Sequence, residues 1–168
     1  KATSARELLD AVASARGDGP VLGHGWDETT WADPTLPAAA ELERAAAGRP
    51  VYLARVDVHS ALVSPSLAQA AGLAGQDGFD GGARVSRAAH TAARRATRNM
   101  PSHDLRRHQA RALTEAAVNG YVAVAEKGAP HIGGAEDLRL AAAWNGEGPQ
   151  DAPYPEVLPY WGELASSE

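Results

Sequence analysis

The feature that most constrains the fold is an alternation of helical and extended patterns over residues 103–161. A helical pattern over 103–118 leads into the wholly apolar segment Tyr121–Ala125. A second helical pattern over 135–143 leads into another extended segment, Val157–Trp161. Short, continuous apolar strands are typical of parallel sheets, and strands that alternate with helices form right-handed βα units. We therefore predict an α/β fold with consecutive βα units.

The first hundred residues show a different pattern, with short helices around one clear strand. That strand is predicted over Val51–Val58, directly after Pro50, and its alternate residues lie on opposite faces. The Gly- and Asp-rich segment 74–83 predicts a loop. Helices are predicted over residues 2–16, 38–47, 64–71 and 85–98, and Ser102 is expected to be the N-cap of the helix over 103–118.

The composition predicts a thin hydrophobic core. Ala supplies 37 of the 168 residues, and all larger hydrophobic residues together supply another 37. Because Ala buries little apolar surface, such a chain gains less from burial than its length suggests. We therefore expect it to pack against copies of itself or against further chain. Cys is absent, which excludes disulfides and thiolate metal sites.

The charge and the N-terminus bear on partners and location. The net charge is −5, which argues against the whole chain being a nucleic-acid binder. No apolar run is long enough to span a bilayer, so we expect neither a nucleic-acid nor a membrane partner. Residue 1 is Lys and no signal-peptide core follows it. We expect the native N-terminus to lie upstream and the protein to be cytoplasmic.

The six histidines form no standard local metal motif. None belongs to an H-x-H, H-x-x-x-H or H-E-x-x-H pattern, the spacings at which neighbouring side chains reach one metal ion. We therefore expect no complete metal site within this chain. The histidines are His24, His59, His90, His103, His108 and His131.

His59 and Asp57 follow the clearest strand, in the segment YLARVDVHSAL. Functional side chains collect at strand ends, because a rigid sheet holds the exposed loop there. The alternative is that His59 hydrogen-bonds locally within its own turn. The sequence leaves both interpretations open.

Glu126 and Trp161 stand where the two strands of the βα region are predicted to end. Ligands of parallel sheets gather at the carboxyl ends of strands, so a carboxylate there is a candidate base or substrate contact. A salt bridge between Glu126 and an Arg is the alternative. Trp161 has the same two interpretations, a substrate contact or a structural residue.

The loop after Val21 and Leu22 combines glycines with aromatic and acidic residues, among them Trp26 and Asp27. Such a loop suits ligand binding, although a Trp in a short loop more often covers the core. Gly23 and Gly25 do not make a dinucleotide-binding fingerprint, since no third Gly falls at the required offset and no long helix follows.

Eight arginines between residues 84 and 111 face a single acid, Asp104, and give this segment a local charge of +7. One interpretation is a patch for phosphate or nucleic acid. The other is a solvated helical surface that docks on acidic parts of this chain or of a partner. We favour the second, because no nucleic-acid-binding motif accompanies the arginines.

Four segments, in order along the chain, resemble one branch of the amidohydrolase superfamily: the metal-dependent hydrolases that include N-substituted formamide deformylases. The segments are LGHGWDETTW, GRPVYLARVDVHSALVSPSLAQAAGL, ALTEAAVNGYVAVAEKGAPHIGGAEDL and PEVLPYWGEL. The resemblance extends from about Ser4 to Leu164. The chain departs from the family at Ala125, where a His often precedes the acid, and in reading GYVAV where relatives read GVTSV.

The resemblance implies a segment of a (β/α) barrel, with its second and third strands and their helices, plus a small mixed α/β insert. Residues 1–16 would be the helix after a missing first strand, residues 17–100 the insert domain, and residues 101–168 the βα units of the incomplete barrel. A whole barrel needs about 250 residues, more than this chain has.

The resemblance also implies metal-assisted hydrolysis of C–N bonds in a small amide-like substrate, with a divalent metal that we expect to be zinc. The metal ligands of the family lie outside this segment, so the chain alone is expected to be inactive and to lack catalytic residues. Supporting substrate contacts are implied for His59, Asp57, Glu126, Trp161, Trp26 and Asp27.

Two other function classes stay open at this point. The chain could be a non-catalytic interaction module that keeps the family's fold, or it could bind anions or nucleic acid through the Arg-rich helices of residues 84–111. A barrel segment also exposes strand edges and half of a core, which usually find partners. We therefore expect a homo-oligomer.

Overall fold

The computed structural model describes residues 1–98, 101–130, 133–145 and 154–162. The chain forms two compact units, Lys1–Asn99 and Met100–Glu168, hereafter the first and the second unit. Both contain strands and helices, so the predicted α/β class is confirmed, and the described residues form no closed barrel. In this part of the chain no helix has the length and apolar character that crossing a membrane requires.

The first unit is a four-stranded sheet with helices on both faces. Its strands are β1 (Val21–Trp26), β2 (Val51–Arg55), β3 (Ser60–Val63) and β4 (Arg84–Ser86). Its helices are α1 (Ala5–Ala13), α2 (Ala39–Ala45), α3 (Pro65–Ala70) and α4 (Arg87–Ala96). The strand order follows the chain; β1 and β2 are parallel, and the other neighbouring pairs are antiparallel.

Side-chain alternation along β2 divides the core of the first unit in two. Val51 and Leu53 join the cluster that contains Leu8 and Val12 of α1, whereas Tyr52 joins the cluster beneath α3 and α4. This is the division that the period-two pattern predicts. Serine side chains cap two of the helices: Ser4 Oγ accepts from the Glu7 amide, and Ser64 Oγ accepts from that of Leu67.

The strand predicted over Val51–Val58 is wrong at its end. Strand β2 ends at Arg55, and the chain turns through Val56–His59 into β3, which the sequence pattern did not predict. The β-branched residues Val56 and Val58 made the turn look extended. In the structure Val58 has φ +56°, which reverses the chain and makes β2 and β3 a hairpin.

The second unit contains two parallel βα units, in agreement with the helix–strand alternation. Its elements are α5 (Ser102–Val118), β5 (Ala123–Gly128), α6 (Ala135–Ala142) and β6 (Glu156–Trp161). Leu113, Ala141 and Val157 form its small core.

Two boundaries in the second unit differ from the prediction. Strand β5 begins at Ala123 rather than Tyr121, because Tyr121 and Val122 are 62% and 85% exposed and precede the ladder. Ser102 is the first residue of α5 and not its N-cap; Pro101 takes that position, with no side-chain cap.

Candidate functional site

Arg55 brings together two of the predicted site residues of the first unit. Its guanidinium donates to Asp27 Oδ1 at 3.1 Å, to Glu28 Oε2 at 2.8 Å and to Asp57 Oδ2 at 2.7 Å. The Arg55 side chain is only 13% exposed. Asp27 and Asp57, far apart in sequence, therefore share one cation, and a substrate would have to compete with it for their oxygens.

The pKa of each of these aspartates lies below its ordinary value for local reasons. For Asp27, the hydrogen bond from the Thr29 hydroxyl is the largest cause. For Asp57, the largest cause is the hydrogen bond from the backbone amide of His59. Arg55 adds to both shifts. Both carboxylates are charged at neutral pH and fit structural ion pairs better than general acids.

Trp26 ends β1 and covers the core, which is the more frequent role for a Trp in such a segment. Its side chain is 4% exposed, and its indole N–H donates to the carbonyl of Leu53 at 2.8 Å. The Arg55 guanidinium lies 5.8 Å from the Trp26 ring centroid. The indole therefore belongs to the core and supports the cation that holds Asp27 and Asp57.

His59 lies in the exposed turn between β2 and β3. Its backbone amide donates to Asp57 Oδ1 at 3.1 Å, so the local hydrogen bond considered for this residue is made by the backbone. The imidazole is exposed on the same turn as Val56 and Val58.

A buried polar pair that the sequence did not reveal lies under the opposite face of the sheet. The Tyr52 hydroxyl and His90 Nε2 are 2.8 Å apart, and both side chains are buried. Burial lowers the pKa of His90; nearby Arg94 and His59 act in the same direction, and Asp57 opposes them. A lone His in an alanine-rich helix gave no signal, because only the fold brings Tyr52 to it.

This pair predicts a pH-dependent stability. The folded state holds His90 neutral with a pKa below the ordinary 6.5, so the unfolded chain binds a proton more readily. Stability contributed by His90 is present above about pH 6.5 and is lost as the pH falls towards the folded-state value. We expect the difference in urea midpoint between the wild type and H90Q to shrink from pH 7.5 to 5.5; a constant difference would contradict this assignment.

Glu126 lies inside β5 rather than after its end. It is opposite Pro159 in the ladder and on the same face as Val124 and Gly128. A Cβ on Gly128 would lie 3.1 Å from Leu138 Cβ, which identifies this face as the one that α6 covers. Burial raises the pKa of Glu126, and the charge of Asp137 adds to the shift. No ion pair between Glu126 and an Arg is found within the described residues.

Trp161 is the last residue of β6, opposite Gly128 in the ladder, and is 43% exposed. The neighbouring positions Lys127 and Tyr160 lie on the open face of the sheet, where Lys127 Nζ is 5.0 Å from the Tyr160 ring centroid. Strand β5 ends at Gly128, three residues later than the predicted end at Ala125, and therefore includes both Glu126 and Lys127.

The Arg-rich segment is divided between the two units. Several of its side chains have partners nearby: Arg84 pairs with Glu28 at 3.8 Å, Arg87 with Asp77 at 3.1 Å and Arg107 with Asp104 at 2.9 Å. Arg106 stacks over the Trp144 ring. These contacts fit the solvated, locally paired surface that the sequence favoured over a phosphate patch.

The described residues do not fit a metal centre. Across residues 1–98, 101–130, 133–145 and 154–162, no three His, Asp or Glu side chains converge as metal ligands would. The acidic cluster of Asp27, Glu28 and Asp57 is already bound by the Arg55 guanidinium. His131 lies outside the described residues.

Comparison with known proteins gives a family match over most of the chain. A model described as the amidohydrolase family matches residues 1–150. A search of curated proteins finds no match.

Two solved structures share the fold. One is an uncharacterized metal-dependent hydrolase from Pyrococcus horikoshii OT3, with a TM-score of 0.64 and 19% identity over 93% of this chain and 30% of that one. The other is an uncharacterized metal-dependent hydrolase from Pyrococcus furiosus, with a TM-score of 0.62 and 20% identity over 95% of this chain and 32% of that one. The chain thus spans about a third of the length of each.

Proposed function

Because the chain belongs to the amidohydrolase family, we propose that it is a segment of a metal-dependent hydrolase that cleaves C–N bonds in small amide-like substrates. The observation that carries this proposal is the family match over residues 1–150. The fold shared with two metal-dependent hydrolases supports it. Within the family, the four resembling segments favour the branch that includes N-substituted formamide deformylases.

In this proposal a divalent metal, with zinc as the candidate, is held by residues outside this chain. Two observations support this. The carboxylates of the acidic cluster in the first unit already bind Arg55, and Glu126 lies on the face of β5 that α6 covers. The chain supplies substrate-contacting and supporting residues and is inactive alone. His59 and Trp161 are exposed and are its candidate contacts. Trp26, Asp27 and Asp57 support the turn that carries His59.

Glu126 has a conditional role in this scheme. Its carboxyl has a raised pKa, which is a property of general acids and bases, but it shares the covered face of β5 with Val124. A role at the substrate therefore requires α6 to leave room beside it. The side chain that β5 offers to the open face at its carboxyl end is Lys127.

We also propose that the isolated chain self-associates through the second unit. Tyr121, Val122, Leu158 and Tyr160 are all exposed there, and among the residues that the structure describes only β5 and β6 form this sheet, so neither of its edges has a further strand. A second copy would cover these groups.

Elemental analysis and sedimentation of the purified chain test the proposal together. After exposure to zinc and dialysis, we expect well below one equivalent of metal per chain and no hydrolysis of N-substituted formamides. The longer protein encoded by an extended reading frame should bind metal and hydrolyse these formamides. Sedimentation velocity should give a mass above 17.4 kDa that rises with concentration. Stoichiometric zinc in the chain alone would contradict external ligands, and a monomer at all concentrations would contradict self-association.

A further inference from the structure

The turn between β2 and β3 presents apolar side chains where turns are usually polar. Val56 is 44% exposed and Val58 is 56% exposed. Turns are dominated by Gly, Pro, Asn, Asp and Ser, because these residues suit the backbone geometry of a turn or hydrogen-bond its backbone. Two valines in one four-residue turn that bury only about half of their surface on folding leave apolar surface available for a contact outside the described core.

The backbone of this turn is strained. Val58 has φ +56°, and for a β-branched residue a positive φ is a genuine outlier. Such a conformation persists only where the surroundings hold it, and such residues cluster at ligand clamps and active sites. Gly would adopt this conformation without strain, so the valine side chain at this position has a cost that folding alone does not explain.

A network of charged hydrogen bonds holds the turn in place. Asp57 accepts from the His59 amide through Oδ1 and from Arg55 through Oδ2, so one carboxylate joins both ends of the turn. Arg55 is in turn bound to Asp27 and Glu28. A turn fixed in this way loses little conformational entropy when it contacts a ligand.

We propose that the turn Val56–His59 is a substrate-recognition element, in which Val56 and Val58 contact the apolar substituent of an amide-like substrate and the exposed His59 imidazole hydrogen-bonds its polar group. The inference rests on the proposed hydrolase function. Two valines offer far less than the roughly 800 Å² that each partner of a stable protein interface buries. The area that two valines offer fits a small ligand better than a protein partner.

The test uses the complete hydrolase that contains this chain and a series of amides whose apolar substituent grows while the scissile bond stays the same. For V56S/V58S we expect KM to rise about tenfold for the largest substituent and to stay unchanged for the smallest, with kcat unaltered. The matched control is L22S, which removes an equally exposed side chain from β1 of the same unit. Its KM should equal that of the wild type throughout.

A second variant separates recognition from folding. V58G relieves the positive φ, so we expect its thermal midpoint to rise by about 2–4 °C while KM for the largest substituent still rises. As a readout apart from activity, a non-hydrolysable amide should shift the NMR signals of the His59 ring and the Val58 methyl groups.

The outcomes distinguish the two proposals. Hydrolysis with an unchanged KM across the series in both V56S/V58S and V58G overturns the recognition element and leaves the hydrolase function standing. If the wild-type enzyme hydrolyses no member of the series, the proposed function fails, and the inference fails with it.

Discussion

Replacing Arg55 with Met is expected to lower the thermal midpoint of the first unit by about 5–10 °C, because it removes charge-assisted hydrogen bonds to three carboxylates at once. Met is similar in length to the aliphatic stem of Arg and removes the charge that lies 5.8 Å from the Trp26 ring centroid. The loss therefore arises from Asp27, Glu28 and Asp57, which are left close together without their shared cation. Circular dichroism melting at pH 7 measures it.

R84M is the matched control for this variant. Arg84 also pairs with Glu28, but at 3.8 Å and with a side chain that is 51% exposed. Such a pair contributes little, so its midpoint should change by no more than about 2 °C. Faster amide hydrogen exchange at His59 in R55M, and not in R84M, would show that Arg55 holds the turn. Equal midpoints for the two variants would contradict a central role for Arg55.

The helices and the βα alternation could be predicted from the sequence because they depend on local patterns. The structure has the predicted helices near 39–45, 65–70 and 135–142, and β5 and β6 are parallel as the helix–strand alternation indicates. The two faces of β2 were also correctly assigned. In each case the information lies within a few neighbouring residues, either as side-chain periodicity or as a capping residue.

The hairpin and the Arg55 cluster could not be predicted, because contacts between distant residues create them. Val56 and Val58 favour a strand locally, whereas the bonds of Asp57 to Arg55 and His59, together with the bond from the Val58 amide to the Arg55 carbonyl at 2.9 Å, hold the turn. The sequence singled out Asp27 and Asp57 as ligand contacts but gave no sign that Arg55 joins them. The segment RVDVH contains a signal only for the pair of Arg55 and Asp57, since a cation two residues before an acid can bind it across a turn.

Glu126 shows how a small boundary error changes a functional interpretation. Successive side chains of a strand point to opposite faces of the sheet. A carboxylate that follows the strand is free to face a ligand, whereas the strand register fixes the face on which a carboxylate inside the strand lies. The extension of β5 to Gly128 places Glu126 under α6 and Lys127 on the open face. Sequence periodicity could not fix this boundary, because Ala, Glu and Lys have similar preferences at a strand end.

Replacing Gly78 with Ala is expected to be among the most damaging single changes in the first unit. Gly78 has φ +89°, and an added Cβ would lie 2.2 Å from the Ser86 carbonyl oxygen. The contact is with backbone at the end of β4, so no side-chain rotation relieves it. The Ser86 amide also donates to the Gly78 carbonyl at 3.0 Å, and this bond would have to break or shift. We expect a loss of about 3 kcal/mol in the free energy of unfolding.

Gly75 provides the comparison that isolates this clash from backbone strain. It has a similar φ of +77°, but nothing lies within 4 Å of an added Cβ. G75A should therefore lose about 1 kcal/mol, the cost of a positive φ alone. Urea unfolding of both variants gives the difference. Since Ser86 precedes α4, which carries His90, G78A should also weaken the pH dependence that His90 produces. Equal losses in G75A and G78A would mean that the backbone around Ser86 can move aside at little cost.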